Sequence, residues 1–154
     1  KYYIVGDRDV RLFEELKRMT GALHIQERVV FLEKISQDDL DDLYGRARVF
    51  ILTPINQDEY HFEGFGLVYL EAASAGLPVI GTLGNGAEAA VWNRENGLLV
   101  PQADISATAD ALRNILGDNQ IAERMSRQSY AWAKRHDMHH VVDEYIHCYR
   151  GLTV

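Results

Sequence analysis

The sequence predicts an α/β fold, a doubly wound domain built on a parallel sheet, and three observations carry that expectation. Short, nearly uniform apolar runs such as "RVVFL" and "LPVIGT" recur along the chain. Segments whose apolar residues fall at helical spacing separate them. Gly6 and Pro54 punctuate the ends of apolar runs. Strands covered on both faces read as continuous apolar stretches, and the intervening helices supply the crossovers that parallel pairing needs.

The elements follow in order. "YYIVG" (2–6) is a strand closed by a turn at Gly6-Asp7. "DVRLFEELKRMT" (9–20) places Val10, Phe13, Leu16 and Met19 on one helical face, and Gly21 is expected to stop that helix. "RVVFL" (28–32) is a second strand. "SQDDLDDLYGRA" (36–47) opens with Ser36 and Asp39 in a capping arrangement and aligns Leu40, Leu43 and Tyr44. "RVFILTP" (48–54) is a third strand, ended by proline; 77–82 and 96–101 are a fourth and a fifth. Helices are expected at 103–116 and from 118 to about 136, then an amphipathic stretch at 139–150 with Val142, Tyr145, Ile146 and Tyr149. In such folds ligands bind beyond the carboxyl ends of strands, where loops run into helix starts. The loop 54–66 holds that position, before a helix expected to begin near Phe65.

Composition narrows the class. The 154 residues are one domain's worth of chain, with 47% apolar and 25% charged residues. No apolar run approaches the roughly 20 residues of a membrane span, and no signal-peptide pattern is present. The single cysteine, Cys148, excludes an internal disulfide and suits a reducing cytoplasm. A net charge of −7 argues against nucleic-acid binding while leaving room for a local basic pocket. Lys1 opening straight into "YYIVGD" predicts a piece of a longer chain.

The stretch "YHFEGFGLVYLEAASAGLPVIGT" (60–82) carries the chemistry. The amides of Phe65, Gly66 and Leu67, taken as the first of a helix, would lack internal partners and face outward with the positive end of the dipole. Gly64 and Gly66 would let a backbone-sized group come close. That is an anion site suited to a phosphate or diphosphate. Glu63 and Glu71 bracket it; eight residues of helix rise about 12 Å, comparable with the reach from a sugar across a diphosphate to a ribose. Carboxylates accept hydrogen bonds from vicinal hydroxyls and repel phosphate, so both are placed on hydroxyls. The plainer alternative is that Glu63 only favours the helix dipole and Glu71 only faces solvent.

The same residues resemble the signature of family 4 (group 1) retaining glycosyltransferases of the GT-B fold. The pattern of Glu, seven residues and Glu, with Phe-Gly-Leu inside and Ala-x-x-x-Gly-x-Pro-Val-Ile after it, is met by Glu63, Phe65, Gly66, Leu67, Glu71, Ala72, Gly76, Pro78, Val79 and Ile80. "YIVGD", "RVVFLEKISQDDLDDLYGRARVFILTP" and "NGLLVPQAD" extend the likeness over roughly residues 2 to 117. The resemblance implies a Rossmann-like, C-terminal donor-binding domain, truncated at its N-terminus, in an enzyme of glycan biosynthesis that transfers a hexose from a UDP- or GDP-sugar. It implies that Glu63, the candidate catalytic residue, holds hydroxyls of the transferred sugar, and that Glu71 holds the ribose. Gly64, Phe65, Gly66 and Leu67 would meet the diphosphate, while the base would lie against the segment Leu32, Glu33 to Ile35. No metal and no cofactor is expected, because helix starts and basic side chains carry the phosphate charge.

The departures matter as well. The family's first donor-domain strand, its diphosphate-binding arginine and lysine, and its acceptor domain would precede Lys1, so the chain by itself is expected to be inactive. The missing half would be its partner, and peripheral contact with the inner face of a membrane would run through that half. Glu33 stands where the family usually has glycine, Ile55 where it has serine, and Asn85-Gly86 where it has paired glycines. The family's next glutamate falls at Ala89, beside Glu88, which leaves the role of the 84–89 loop open. The loop 55–62 is longer than the common form.

Two rivals are weighed. One is a nucleotide-binding module without catalysis. The other is an NAD-binding dehydrogenase, suggested by Gly84, Gly86 and Ala89 after a strand, with Asp104 further on; the short helix that could follow argues against it. His136, His139 and His140 have a spacing that could collect a metal, but packed or solvated histidines explain it. Trp92, Trp132, Tyr145 and Tyr149 read as core or interface aromatics, Cys148 as a part-buried thiol, and the aspartates at 38, 39, 41 and 42 as dipole compensation. His61, two residues before Glu63, has only its loop position to recommend it.

Overall fold

Two parallel sheets with flanking helices make up the protein, seen in a computed structural model that describes residues 1–6, 9–56, 58 and 61–152. The chain divides into two units, Lys1–Leu43 and Tyr44–Val154.

In the first unit β1 (Tyr2–Val5) pairs in parallel with β2 (Val29–Leu32), Tyr2 opposite Val29 and Val5 opposite Leu32. Between them runs α1 (Val10–Ala22), started by Asp9, whose carboxylate accepts the Leu12 amide at 3.0 Å. Phe13 of α1 meets Phe31 of β2 edge to face, ring centroids 5.2 Å apart. Gly21 does not stop this helix. The stop falls at Leu23, whose amide turns back to the carbonyls of Met19 and Gly21, and His24 takes the left-handed φ of 53°. The second half of the expected Gly6-Asp7 turn lies outside the described residues. The unit boundary falls inside α2 (Gln37–Arg46), which starts as expected: the Asp39 amide donates to the Ser36 hydroxyl at 3.1 Å.

In the second unit β3 (Phe50–Ile51), β4 (Val79–Thr82) and β5 (Gly97–Val100) lie side by side in that order, all parallel. β3 is far shorter than the run 48–54 suggests. The Leu52 amide still reaches the Ile80 carbonyl at 3.0 Å, but side-chain hydroxyls, of Tyr69 and Thr82, take the carbonyls of Leu52 and Pro54. The chain therefore leaves the sheet where its acceptors are diverted.

β4 is central and wholly buried. Successive side chains of a strand point to opposite faces, and Val79 and Ile80 accordingly enter different cores. Val79 joins Tyr69, Ala72, Leu77, Ala87 and Val91; Ile80 joins Val100, Ala111, Ile115, Ala122 and Met125. Those cores are covered by α3 (Leu67–Ser74) with α4 (Ala87–Ala90) on one side, and by α5 (Ile105–Gly117) with α6 (Asn119–Arg135) on the other. Asp104 and Asp118 cap α5 and α6 through the amides of Ala107 and Gln120, each at 2.8 Å. The last helix, α7 (Met138–Leu152), is longer than expected and leaves Tyr145 and Tyr149 more than half exposed, so neither is a core aromatic. Cys148, on the same helix, is exposed rather than part-buried.

Candidate functional site

The helix α3 begins at Leu67, two residues later than expected. Gly66 is its N-cap, held at φ 79° and ψ 67°, a left-handed conformation that glycine adopts without a Cβ penalty. The Tyr69 amide is already taken by the Gly66 carbonyl at 2.9 Å. Ahead of that bond, the amides of Gly66, Leu67 and Val68 are the donors that the helix itself leaves without a partner. Glu63 lies outside the helix and Glu71 just over one turn inside it, so the span between them is not set by helical rise alone. Nor does Gly66 stand open to a ligand on the side its Cβ would occupy: that atom would fall 2.5 Å from the Tyr69 ring.

An aromatic ladder backs both glutamates. Tyr44 and Phe50 have ring centroids 6.1 Å apart, and Phe50 meets Tyr69 edge to face at 5.7 Å. At one end the Tyr44 hydroxyl lies within hydrogen-bond reach of Glu71 Oε2, 3.4 Å away. At the other, Tyr69 is fully buried, its hydroxyl donating to the Leu52 carbonyl at 2.6 Å and its ring set against Gly66. Burial, and then the negative charge of the half-buried Glu63, push the Tyr69 hydroxyl above its ordinary pKa of 10.0. The phenol stays protonated and keeps donating.

The loops beyond the carboxyl ends of the three strands are tied together by side chains. The Gln102 Oε1 accepts the Asn56 amide and its Nε2 donates to the Leu83 carbonyl, both at 2.8 Å. Asn56 Nδ2 donates to the Gly84 carbonyl at 2.9 Å, and Asn85 Nδ2 to the Thr82 hydroxyl at 2.8 Å. Gly86 completes the set. Its amide donates to the Glu63 carbonyl at 2.8 Å, and a Cβ there would stand 1.9 Å from the Gly64 oxygen. At Gly86 a close backbone approach is made by the protein on itself. That gives the 84–89 loop a role: it fixes the peptide that carries Glu63. Short polar residues tying three loops leave no periodic signal, and Asn85-Gly86 was legible only as a departure from paired glycines.

In the first unit Leu32 ends β2, and Leu32 and Glu33 line a mainly apolar groove with Ile4, Gly6, Phe13 and Phe31. Glu33 is exposed, Lys34 has a φ of 44°, and Ile35 is half-buried.

Phe65 packs against the core around Val79 and faces His136 at 6.5 Å between ring centroids. His136 meets Trp132 at 4.4 Å between ring centroids, tilted by 54°, bonds the Trp132 carbonyl through Nδ1, and belongs to an aromatic cluster with Trp92. His61 Nδ1 lies 2.8 Å from the Asp58 carboxylate, an exposed pair. Among the described residues no group of three or more histidines, cysteines or acids could hold a metal, and no helix is long and apolar enough to cross a membrane.

Parallel strands, helices on both faces and a helix start beyond the carboxyl end of β3 define a Rossmann-like α/β domain. Residues 1–132 match the family described as glycosyl transferases, group 1, and the chain belongs to that family. It is 33% identical over 137 residues to a D-inositol 3-phosphate glycosyltransferase of Corynebacterium urealyticum, covering 89% of this chain and 31% of that protein. Sucrose-phosphate synthase from Thermosynechococcus elongatus superposes on 97% of this chain and 38% of its own, with a TM-score of 0.81 and 26% identity. The C-terminal domain of a group 1 family glycosyl transferase from Francisella tularensis has the same fold, with a TM-score of 0.71 and 23% identity over 82% of this chain and 63% of that one. The chain spans about a third of the length of the curated relatives it matches. Family membership removes the dehydrogenase reading, and α4 agrees: it is a single turn of 4 residues, too short for the dinucleotide fingerprint.

Proposed function

We propose that this chain is the donor-nucleotide-binding half of a retaining glycosyltransferase, which moves a hexose from a UDP- or GDP-sugar to an acceptor held by a second domain. The observation that supports it is the ladder Tyr44–Phe50–Tyr69, which meets Glu71 at one end and Gly66, the N-cap of α3, at the other. In this reading Gly66 and Leu67 offer their amides to the diphosphate, joined by Val68, with Gly64 and Phe65 shaping the approach. Glu71 accepts from ribose hydroxyls and Glu63 from hydroxyls of the transferred sugar. Transfer proceeds on one face of the sugar, the departing diphosphate accepting the acceptor's proton. Amides aimed at the phosphate oxygens stabilise the charge as the bond breaks, without a metal. The single cysteine suits work in the cytoplasm.

Titration of the labelled chain with UDP, GDP and NAD, followed by amide NMR, tests the reading. Shifts concentrated at 66–71 with UDP or GDP, and smaller ones with NAD, are expected. No response at 66–71 to either nucleoside diphosphate would sink it. The chain joined to an N-terminal half would then be assayed for sugar transfer, which separates an enzyme from a plain nucleotide-binding module.

A further inference from the structure

Glu71 is exposed and would swing through several rotamers if nothing held it. Tyr44 is half-buried, fixed by Phe50, and its hydroxyl reaches Glu71 Oε2 at 3.4 Å. We propose that Tyr44 is a positioning residue for Glu71: its hydroxyl restrains one carboxylate oxygen, so that the other is presented to the vicinal hydroxyls of the nucleotide's ribose.

The argument is one of geometry and donor count. A carboxylate has two oxygens and accepts only, whereas a vicinal diol brings two O–H donors. A side chain aimed beforehand loses less rotamer freedom when the diol arrives. Tyr44 is well suited to aim it, because its ring is anchored through Phe50 to the buried Tyr69, and the ladder cannot shift without disturbing the core. The hydroxyl has a further consequence for specificity. It lies beside the oxygen that the ribose would contact, so the preference for ribose over deoxyribose becomes a property of the Tyr44–Glu71 pair.

This inference rests on the proposed role of Glu71, and the experiment keeps the two apart. Dissociation constants of UDP, GDP and their 2′-deoxy counterparts are measured by NMR titration for the wild-type chain, Tyr44→Phe and Glu71→Ala, with a melting curve for each. Tyr44→Phe keeps the ring on Phe50, so its melting temperature should stay at the wild-type value while the ribose preference falls roughly three- to tenfold, the loss of one hydrogen bond. An unchanged preference in Tyr44→Phe, or a lowered melting temperature with the preference intact, would overturn the positioning role. A ribose preference retained in Glu71→Ala, or none in the wild type, would overturn the role of Glu71 itself.

Discussion

The amide of Gly86 donates to the carbonyl of Glu63 at 2.8 Å, and the same glycine sits so near the Gly64–Phe65 peptide that a Cβ would come within 1.9 Å of the Gly64 oxygen. The loop after β4 thereby clamps the segment that carries Glu63. Gly86→Ala must push that peptide away, because backbone cannot yield as a flexible side chain does. Overpacking of this kind costs about 1–3 kcal/mol. Denaturant unfolding should show that loss, whereas Gly117→Ala, where a Cβ meets nothing within 4 Å, should be close to neutral. Equal stability of the two variants would count against the clamp.

Gly66 carries a second expectation. Its φ of 79° and the Tyr69 ring 2.5 Å from a notional Cβ oppose any side chain. Gly66→Val should lower the ligand-free melting temperature through a loss of more than about 1 kcal/mol. Sequence alone favours the reverse, a Cβ that obstructs ligand and spares the fold. Melting curves with and without nucleoside diphosphate decide; a normal ligand-free value would restore the simpler view.

Tyr69 should give stability a pH dependence at the alkaline end. Its folded pKa is raised above 10.0, so unfolded chains release this proton first as pH rises. The contribution is complete below about pH 10 and is lost progressively above it. Urea unfolding from pH 8 to 11 should show wild type losing more stability than Tyr69→Phe over the last unit. Tyr69→Phe itself should cost about 1–3 kcal/mol at neutral pH, since the Leu52 carbonyl loses its donor. Parallel pH profiles for the two proteins would contradict the buried phenol.

The two glutamates should separate in binding. Glu71→Ala is expected to weaken UDP or GDP and the matching nucleotide-sugar alike, because the ribose is common to both. Glu63→Ala should spare the bare nucleotide and weaken the sugar-bearing donor, by roughly the 1.5–3 kcal/mol of a charged hydrogen bond. Calorimetry on each variant measures the difference. Equal losses for both ligands in Glu63→Ala would refute the division.

Asp104→Ala and Asp118→Ala remove the caps of α5 and α6 and should each cost about 1 kcal/mol, additively, because the two caps share no partner. Chemical denaturation of the single and double variants tests it.

Local chemistry determined much of this protein by itself. Apolar runs and helical spacing are enough to order strands and helices, since burial on both faces of a parallel sheet leaves no polar alternation, and Ser36 and Asp39 announce a helix start that hydrogen bonding then completes. The glutamate pair and the two glycines between them, Gly64 and Gly66, stand out in the sequence because their spacing is short and their residue types are few. Tertiary structure decided the rest. The helix starts at Leu67 because Gly66 is held at φ 79° and ψ 67°, a left-handed conformation that a right-handed helix cannot include. β3 shrank because two hydroxyls from distant positions capture its last carbonyls. Tyr44 met Glu71, and Gly86 met Glu63, across 27 and 23 positions of chain, and no local pattern records a contact that exists only once the sheet has closed.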